Sequence, residues 1–463
     1  MKKLPCCWLL AVLFSLVAAA DKVPLHQQQA RPWPAWLTEG VIYQIQPRAF
    51  TPEGTLKAAQ ARLPRLAELG VTVLYLCPIF VADDDMDQAF WSPRQKKSGM
   101  NNPRNPYRMK DFYHVDPEYG TDQDLKDFVA AAHALKLRVM LDMVYLHCGP
   151  KAVFIASNPD FVKRAEDGKV KNAGWSFPGL NFKNPGLREY LWKNMEMWIR
   201  DFDVDGFRCD VADQIPLDFW EEGRARIERI KPDVGMLAEG TRKEDQLKAF
   251  DLDYGWGKAF KTLDDAAEIR KLWTTMRDQR PRGGAKFARF IDNHDIANDD
   301  YDNRLEKRWG TARVDAALVW LFTMDGVPFV YNGQEVADTA RHSIFGRLPI
   351  DWGSGETETG RARFALVKSL CALRKSEPAL TQGDLTWLDH DQPQAVSAFV
   401  RTLNGVRVIS LINLTGQPVK VNVKGAEGVW KALLSKDAAK GGAGRFNLAK
   451  HGYFVGKQCG VAF

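Results

Sequence analysis

A (β/α)8 barrel with a small inserted subdomain after its third strand and a C-terminal antiparallel β domain is the fold predicted by three features of this 463-residue sequence. Short apolar runs alternate with amphipathic helical stretches, the pattern of a parallel sheet covered by helices. Several of those runs turn polar at their C-terminal end, where the βα loops of a parallel barrel gather. After Glu377 the alternation gives way to short strands separated by Asn-Gly and Gly-Gln turns, the signature of antiparallel pairing.

The elements follow in order. Residues 41–45 form the first strand, and 56–69 a helix closed by Gly70. The second strand, 71–77, opens into an Asp-, Asn- and Pro-rich excursion over 78–120, too long for an ordinary connection and therefore suspected of function. Thr121 caps a helix running to residue 135, and 138–142 is the third strand. Residues 148–185 show little periodicity and form the inserted subdomain over the barrel mouth. A helix over 187–202 leads to the fourth strand, 204–210, and a helix over 216–230 with Pro216 at its start leads to the fifth, 234–239. The sixth strand is placed at 250–254, a helix at 258–279, and the seventh strand at 286–292. A helix over 312–324, the eighth strand at 326–331 and a helix over 361–375 close the barrel. The C-terminal strands fall at 395–403, 406–413 and 419–423. The division is thus 1–20 signal peptide, 21–377 barrel and 378–463 a C-terminal β-sandwich domain.

Composition narrows the class. The formal charge of +6 is small and unclustered, two of the positive charges being Lys2 and Lys3, so no nucleic-acid footprint is present. Lys2-Lys3, the apolar stretch from Trp8 to Val17 and Ala18-Ala19-Ala20 together read as a secretory signal. A secreted or periplasmic protein without a membrane anchor after processing is the expectation. Cys77, Cys148, Cys209, Cys371 and Cys459 remain beyond the leader; this odd number leaves at least one thiol unpaired, and no CxxC spacing suggests a structural metal. The first three lie near strand ends and are read as small core fillers.

Four strand-end segments carry the chemistry: Leu141-Asp142-Met143-Val144-Tyr145-Leu146-His147, Gly206-Phe207-Arg208-Cys209-Asp210, Met236-Leu237-Ala238-Glu239 and Phe290-Ile291-Asp292-Asn293-His294-Asp295. Cleaving a glycosidic bond with retention takes two carboxyl groups roughly 5–5.5 Å apart, one to attack the anomeric carbon and one to protonate the leaving oxygen and then activate water. Asp210 and Glu239, at the ends of neighbouring strands, suit that pair, and Asp295 reaches the same mouth to hold sugar hydroxyls. Arg208, two residues before Asp210, points to the same side of its strand and is expected to keep that carboxylate ionised. His147 and His294 are expected as neutral donors to sugar hydroxyls.

These segments resemble, in order and spacing, the four signature regions of the α-amylase family of glycoside hydrolases (family 13), over residues 40–376. The resemblance implies that Asp210 is the nucleophile, Glu239 the acid/base and Asp295 the transition-state stabiliser. It also implies that Arg208, His147 and His294 are the family's arginine and substrate-binding histidines, and that Asp142 is mainly structural. Tyr107, in Asn105-Pro106-Tyr107, resembles the tyrosine that stacks on the cleaved sugar. Val115-Asp116-Pro117-Glu118-Tyr119-Gly120-Thr121, Gly326-Val327-Pro328 and Tyr331-Asn332-Gly333-Gln334-Glu335 match further family segments. One position departs: where the family commonly has a calcium-binding Asn, this chain has Leu146, which cannot ligate a hard cation. No metal and no cofactor are therefore expected, and the Asp83–Asp87 stretch is read as a solvated loop. His147-Cys148-Gly149, Asp210-Val211-Ala212 and Phe219-Trp220 are similar to the cyclomaltodextrinase and neopullulanase branch, without the extra N-terminal domain of that branch.

The expected substrate is an α-glucan or maltooligosaccharide, cleaved through a covalent glycosyl-enzyme. Two rivals stand beside this reading: a transglycosylase, α-glucosyltransferase or isomerase using the same residues, and a non-catalytic sugar-binding or transporter-associated protein, against which all three carboxylates are present. Bond preference, chain-end against internal attack and oligomeric state stay open.

Overall fold

The computed structural model describes residues 23–459. Eight parallel strands close a barrel in sequence order: β1 Ile42–Ile45, β2 Val73–Leu76, β3 Arg138–Met143, β4 Gly206–Cys209, β5 Gly235–Ala238, β6 Leu252–Tyr254, β7 Phe287–Arg289 and β8 Val327–Tyr331, with β1 paired to both β2 and β8. The predicted fold class holds. Each strand is buried on both faces, which is why these runs read as continuously apolar rather than alternating. The period of two still sorts the side chains. Ile42, Val73, Tyr75, Met140, Leu237 and Phe329 fill the barrel interior, while Tyr43, Leu74, Leu141, Phe207 and Met236 face the surrounding helices.

Two glycines let the N-terminal end of the barrel close. A Cβ on Gly206 would lie 2.1 Å from the Gly235 carbonyl oxygen, and one on Gly235 would lie 2.7 Å from the Trp36 ring. Trp36 and Leu37, on the short helix Ala35–Thr38, plug the opening so created. We expect Gly206→Ala to lose about 1–3 kcal/mol or more, because the clash is with backbone that cannot turn aside. An unchanged melting temperature in thermal unfolding would contradict this close approach.

Two predicted helices break. The stretch over 56–69 divides into Leu56–Gln60 and Leu63–Leu69, with Pro64 in the first turn of the second piece, where a missing N–H costs nothing. The stretch over 258–279 divides into Lys258–Thr262 and Ala266–Asp278. Leu263 turns to φ 46° between them, and Asp265 caps the second piece by accepting from the Ala267 and Glu268 N–H groups. Thr121 caps as expected, in a reciprocal box with Asp124.

The two long excursions cover the C-terminal mouth. The one after β2 contains an antiparallel ribbon, Phe80–Ala82 with Met109–Val115. Asp83 is buried there rather than solvated, accepting from the N–H groups of Asp85 and Lys151. The excursion after β3 is held by isolated bridges such as His147 with Gly179 and Val162 with Leu180.

Beyond the barrel lie β9 Asp384–Trp387, β10 Val396–Leu403, β11 Val406–Asn413, β12 Val419–Asn422, β13 Trp430–Lys440 and β14 Arg445–Gln458. They form one six-stranded antiparallel sheet, not two separately bonded ones: β14 pairs with β12 through residues 445–448 and with β11 through 453–457. The turn between these stretches falls at His451, φ 52°, so the sheet bends over its own core of Val400, Ile409, Leu411, Phe446 and Phe454. The five cysteines among the described residues are unpaired, and all but Cys459 are buried. Among those residues no helix is long and apolar enough to cross a membrane. The expected signal peptide, residues 1–20, lies outside the described residues.

Candidate active site

Arg208 organises the mouth of the barrel. It points inward from β4, fully buried, with its guanidinium 5.8 Å from the centre of the Tyr75 ring and 5.4 Å from that of Tyr254. Its Nη1 donates to Asp142 Oδ1 at 2.6 Å and to Asp210 Oδ1 at 2.7 Å, and its Nη2 lies 2.8 Å from Glu239 Oε2. One cation therefore serves three carboxylates, not Asp210 alone. Burial pushes the Asp210 carboxyl well above the usual carboxylate range; Arg208 opposes the rise, and the Glu239 charge adds to it. Burial raises Glu239 as well, against Arg208 and with the help of Asp295. Arg208 therefore favours the ionised form of Asp210, against burial and the Glu239 charge. Asp210 and Glu239 form a coupled pair that retains a proton more readily than a free carboxylate does.

Behind this pair runs a chain of hydrogen bonds whose proton positions the chemistry fixes. Gln44 Oε1, on β1, accepts the His294 backbone N–H at 3.2 Å, so its amide nitrogen faces His294 Nδ1 at 2.8 Å and donates to it. Nδ1 then carries no proton, and Nε2 does. That proton is directed to the Tyr107 hydroxyl oxygen at 2.7 Å, and the hydroxyl donates in turn to Asp142 Oδ2 at 3.0 Å. Tyr75 supplies Asp142 with another hydroxyl donor at 2.5 Å. Tyr107 and His294 also lie nearly parallel, 7° apart with ring centres separated by 5.2 Å.

The histidines differ in what they offer. Burial lowers both, His147 to about 4, so both are neutral at ordinary pH. His147 Nε2 is 2.8 Å from the Tyr107 carbonyl oxygen, which can only accept, so its one proton is committed there. Nδ1 is left without a proton, and it is buried with no partner among the described residues. Asn293 caps the helix His294–Asp299 by accepting from the Asp295 and Ile296 N–H groups, which sets Asp295 at the start of that helix. Asp295 is held below its usual range: His294, Arg94 and Arg208 outweigh the burial that raises it.

All the predicted residues except Arg208 line one cavity of about 280 Å³; Arg208 lies beneath it. The same cavity exposes residues that sequence reasoning did not single out, among them Arg94, Trp175, Phe177, Trp256 and Phe345. Arg94 lies in the excursion suspected of function, but nothing in its sequence neighbourhood distinguishes it from a solvated arginine. Trp175 is 42% exposed, with its ring centre 5.7 Å from that of His147, on backbone at φ 63°. Leu146 is buried in the apolar core and offers no oxygen where the family carries its calcium ligand.

The model of the α-amylase catalytic domain matches residues 37–175 and 169–280. The chain belongs to the α-amylase family. It is accordingly a glycoside hydrolase of that family, as its relatives are. A cyclomaltodextrinase from Bacillus sp is 26% identical, over 82% of this chain and 73% of its own length. The structure of a noncanonic maltogenic α-amylase from Thermotoga neapolitana superposes with a TM-score of 0.77 at 25% identity, covering 91% of this chain and 99% of that one. The intracellular maltogenic amylase of Bacillus subtilis is 24% identical over 84% of this chain and 71% of its own length. A relative so named overturns the expectation of a secreted or periplasmic enzyme, which is withdrawn.

Proposed function

We propose that this α-amylase family member is a retaining α-glycosidase that hydrolyses α-glucosidic bonds in starch-derived glucans and maltooligosaccharides. The observation that carries the reading is the Arg208 fork, which gathers Asp210 and Glu239 from the ends of paired strands β4 and β5. Two carboxyl groups held by one guanidinium suit a double displacement, which places them roughly 5–5.5 Å apart.

An Asp210 oxygen attacks the anomeric carbon while Glu239 gives its proton to the departing glycosidic oxygen. The bond to the leaving sugar breaks as the bond to Asp210 forms. Glu239, now a carboxylate, takes a proton from water; the resulting hydroxide attacks the same carbon and returns Asp210 to its free form. Asp295, kept ionised, accepts hydrogen bonds from the hydroxyls of the cleaved sugar, and His147 and His294 line the pocket beside it. Tyr107 bounds the pocket with its aromatic face. The reaction takes no calcium at the Leu146 position.

Incubation with starch, pullulan, maltoheptaose, isomaltose, trehalose and sucrose, read by the sugars released, tests the proposal. Shortened products from maltoheptaose are expected. Release of sugar from none of the α-glucans would overturn it, and products longer than maltoheptaose would favour transfer over hydrolysis.

A further inference from the structure

The cavity is walled along one side by bonds between loops that are distant in sequence. Arg94, on the short helix Pro93–Lys97 of the excursion after β2, donates through Nη1 to Asp295 Oδ1 at 2.6 Å, and its Nη2 pairs with Asp299 Oδ1 at 2.7 Å. Its backbone carbonyl accepts from the Tyr301 hydroxyl at 3.3 Å. A few residues on, Asn102 Nδ2 donates to the Phe345 carbonyl at 2.9 Å, and Arg48 Nη1 donates to the Ile344 carbonyl at 2.6 Å. The segments after β1, β2, β7 and β8 are thereby stitched into one rim. That rim borders the place of the cleaved sugar: Arg94 bonds to Asp295, assigned above to the hydroxyls of that sugar, and to neither Asp210 nor Glu239. A guanidinium committed to two carboxylates is a rigid, polar stop.

We propose that Arg94 closes the glycone end of the pocket, so that the enzyme works from non-reducing chain ends and discriminates against glucans that have no end. This rests on the functional reading above. A sugar ring bound against Asp295 meets Arg94 next, and a chain continuing past it would have to displace the pair with Asp299. A cyclic glucan cannot enter a blind pocket, whereas a linear one offers a terminal ring that fits.

The test compares kcat/KM for maltoheptaose and for its cyclic counterpart, β-cyclodextrin, in the wild-type chain, Arg94→Ala and Asp299→Ala. The second variant alters a side chain that is 63% exposed, so it removes the outer arm of the pair without threatening the fold. The wild type should prefer the linear substrate by about tenfold or more, and Arg94→Ala should narrow that ratio by about tenfold, Asp299→Ala moving it in the same direction by less. A wild type that hydrolyses both within about threefold would overturn the proposal, as would a ratio unchanged in both variants. Failure of the wild type to cleave maltoheptaose at all would be a different result, overturning the functional reading beneath it.

Discussion

Asp210→Asn lowers turnover of maltoheptaose by about 10⁴-fold or more while leaving oligosaccharide binding within a few-fold of the wild type; that is the expected result, and its cause lies in the geometry of one oxygen. The carboxylate that accepts from Arg208 Nη1 at 2.7 Å is the only group of the pair free of a backbone donor, since Glu239 Oε2 also accepts the Val211 N–H at 2.9 Å. An amide of the same shape can keep the bond to Arg208 through its carbonyl oxygen but cannot form the glycosyl ester. Loss of a covalent nucleophile removes a whole reaction path, so its cost sits at the upper end of single-residue effects. Calorimetric titration with maltoheptaose separates the two halves of the expectation. Near-normal turnover in the variant would remove Asp210 from the chemistry, and abolished binding would recast it as a structural anchor for Arg208.

Glu239→Gln carries the second-largest effect, and its signature is in the pH dependence. Glu239 must be protonated to assist the leaving group, and burial raises its carboxyl, so the wild-type rate falls as pH climbs through that raised value. The glutamine cannot titrate. Hydrolysis of maltoheptaose should fall about 10²–10⁴-fold and lose its alkaline limb. The acidic limb should stay where the wild type has it, because Glu239 already carries its proton where Asp210 ionises and the neutral glutamine stands in for it. A variant that keeps both limbs where the wild type has them would show that Glu239 is not the proton donor.

The residues these predictions use were legible in the sequence because barrel geometry is a repeating constraint. A strand of period two that ends in polar groups can place Asp142, Arg208 and Glu239 only at one face and one end. Their partners were harder to see. Gln44 sits inside an apolar first strand and acts on His294 across the barrel, a contact no spacing announces. His147 was placed in the site, but its tautomer depends on the Tyr107 carbonyl, which belongs to another loop. The helix breaks at residues 61–62 and 263–265 were hidden because helix propensity is a weak prior that a proline or a cap overrides. The hairpin of β13 and β14 escaped for a different reason. Lys436-Asp437-Ala438-Ala439-Lys440 is largely exposed and is held by pairing with β14, not by a buried face of its own. Secretion was read from the first residues alone, and the intracellular relative corrects it.

The central claim, that Asp210 and Glu239 divide nucleophile and proton donor between them, is tested most directly by treating Glu239→Gln with α-glucosyl fluoride. Fluoride departs without a proton, so the first step proceeds, while the second lacks its base and the intermediate accumulates. Intact-mass spectrometry should find the chain heavier by one glucosyl unit, with the adduct on the peptide carrying Asp210. Steady release of fluoride with no adduct, or an adduct on any other carboxylate, would contradict the account.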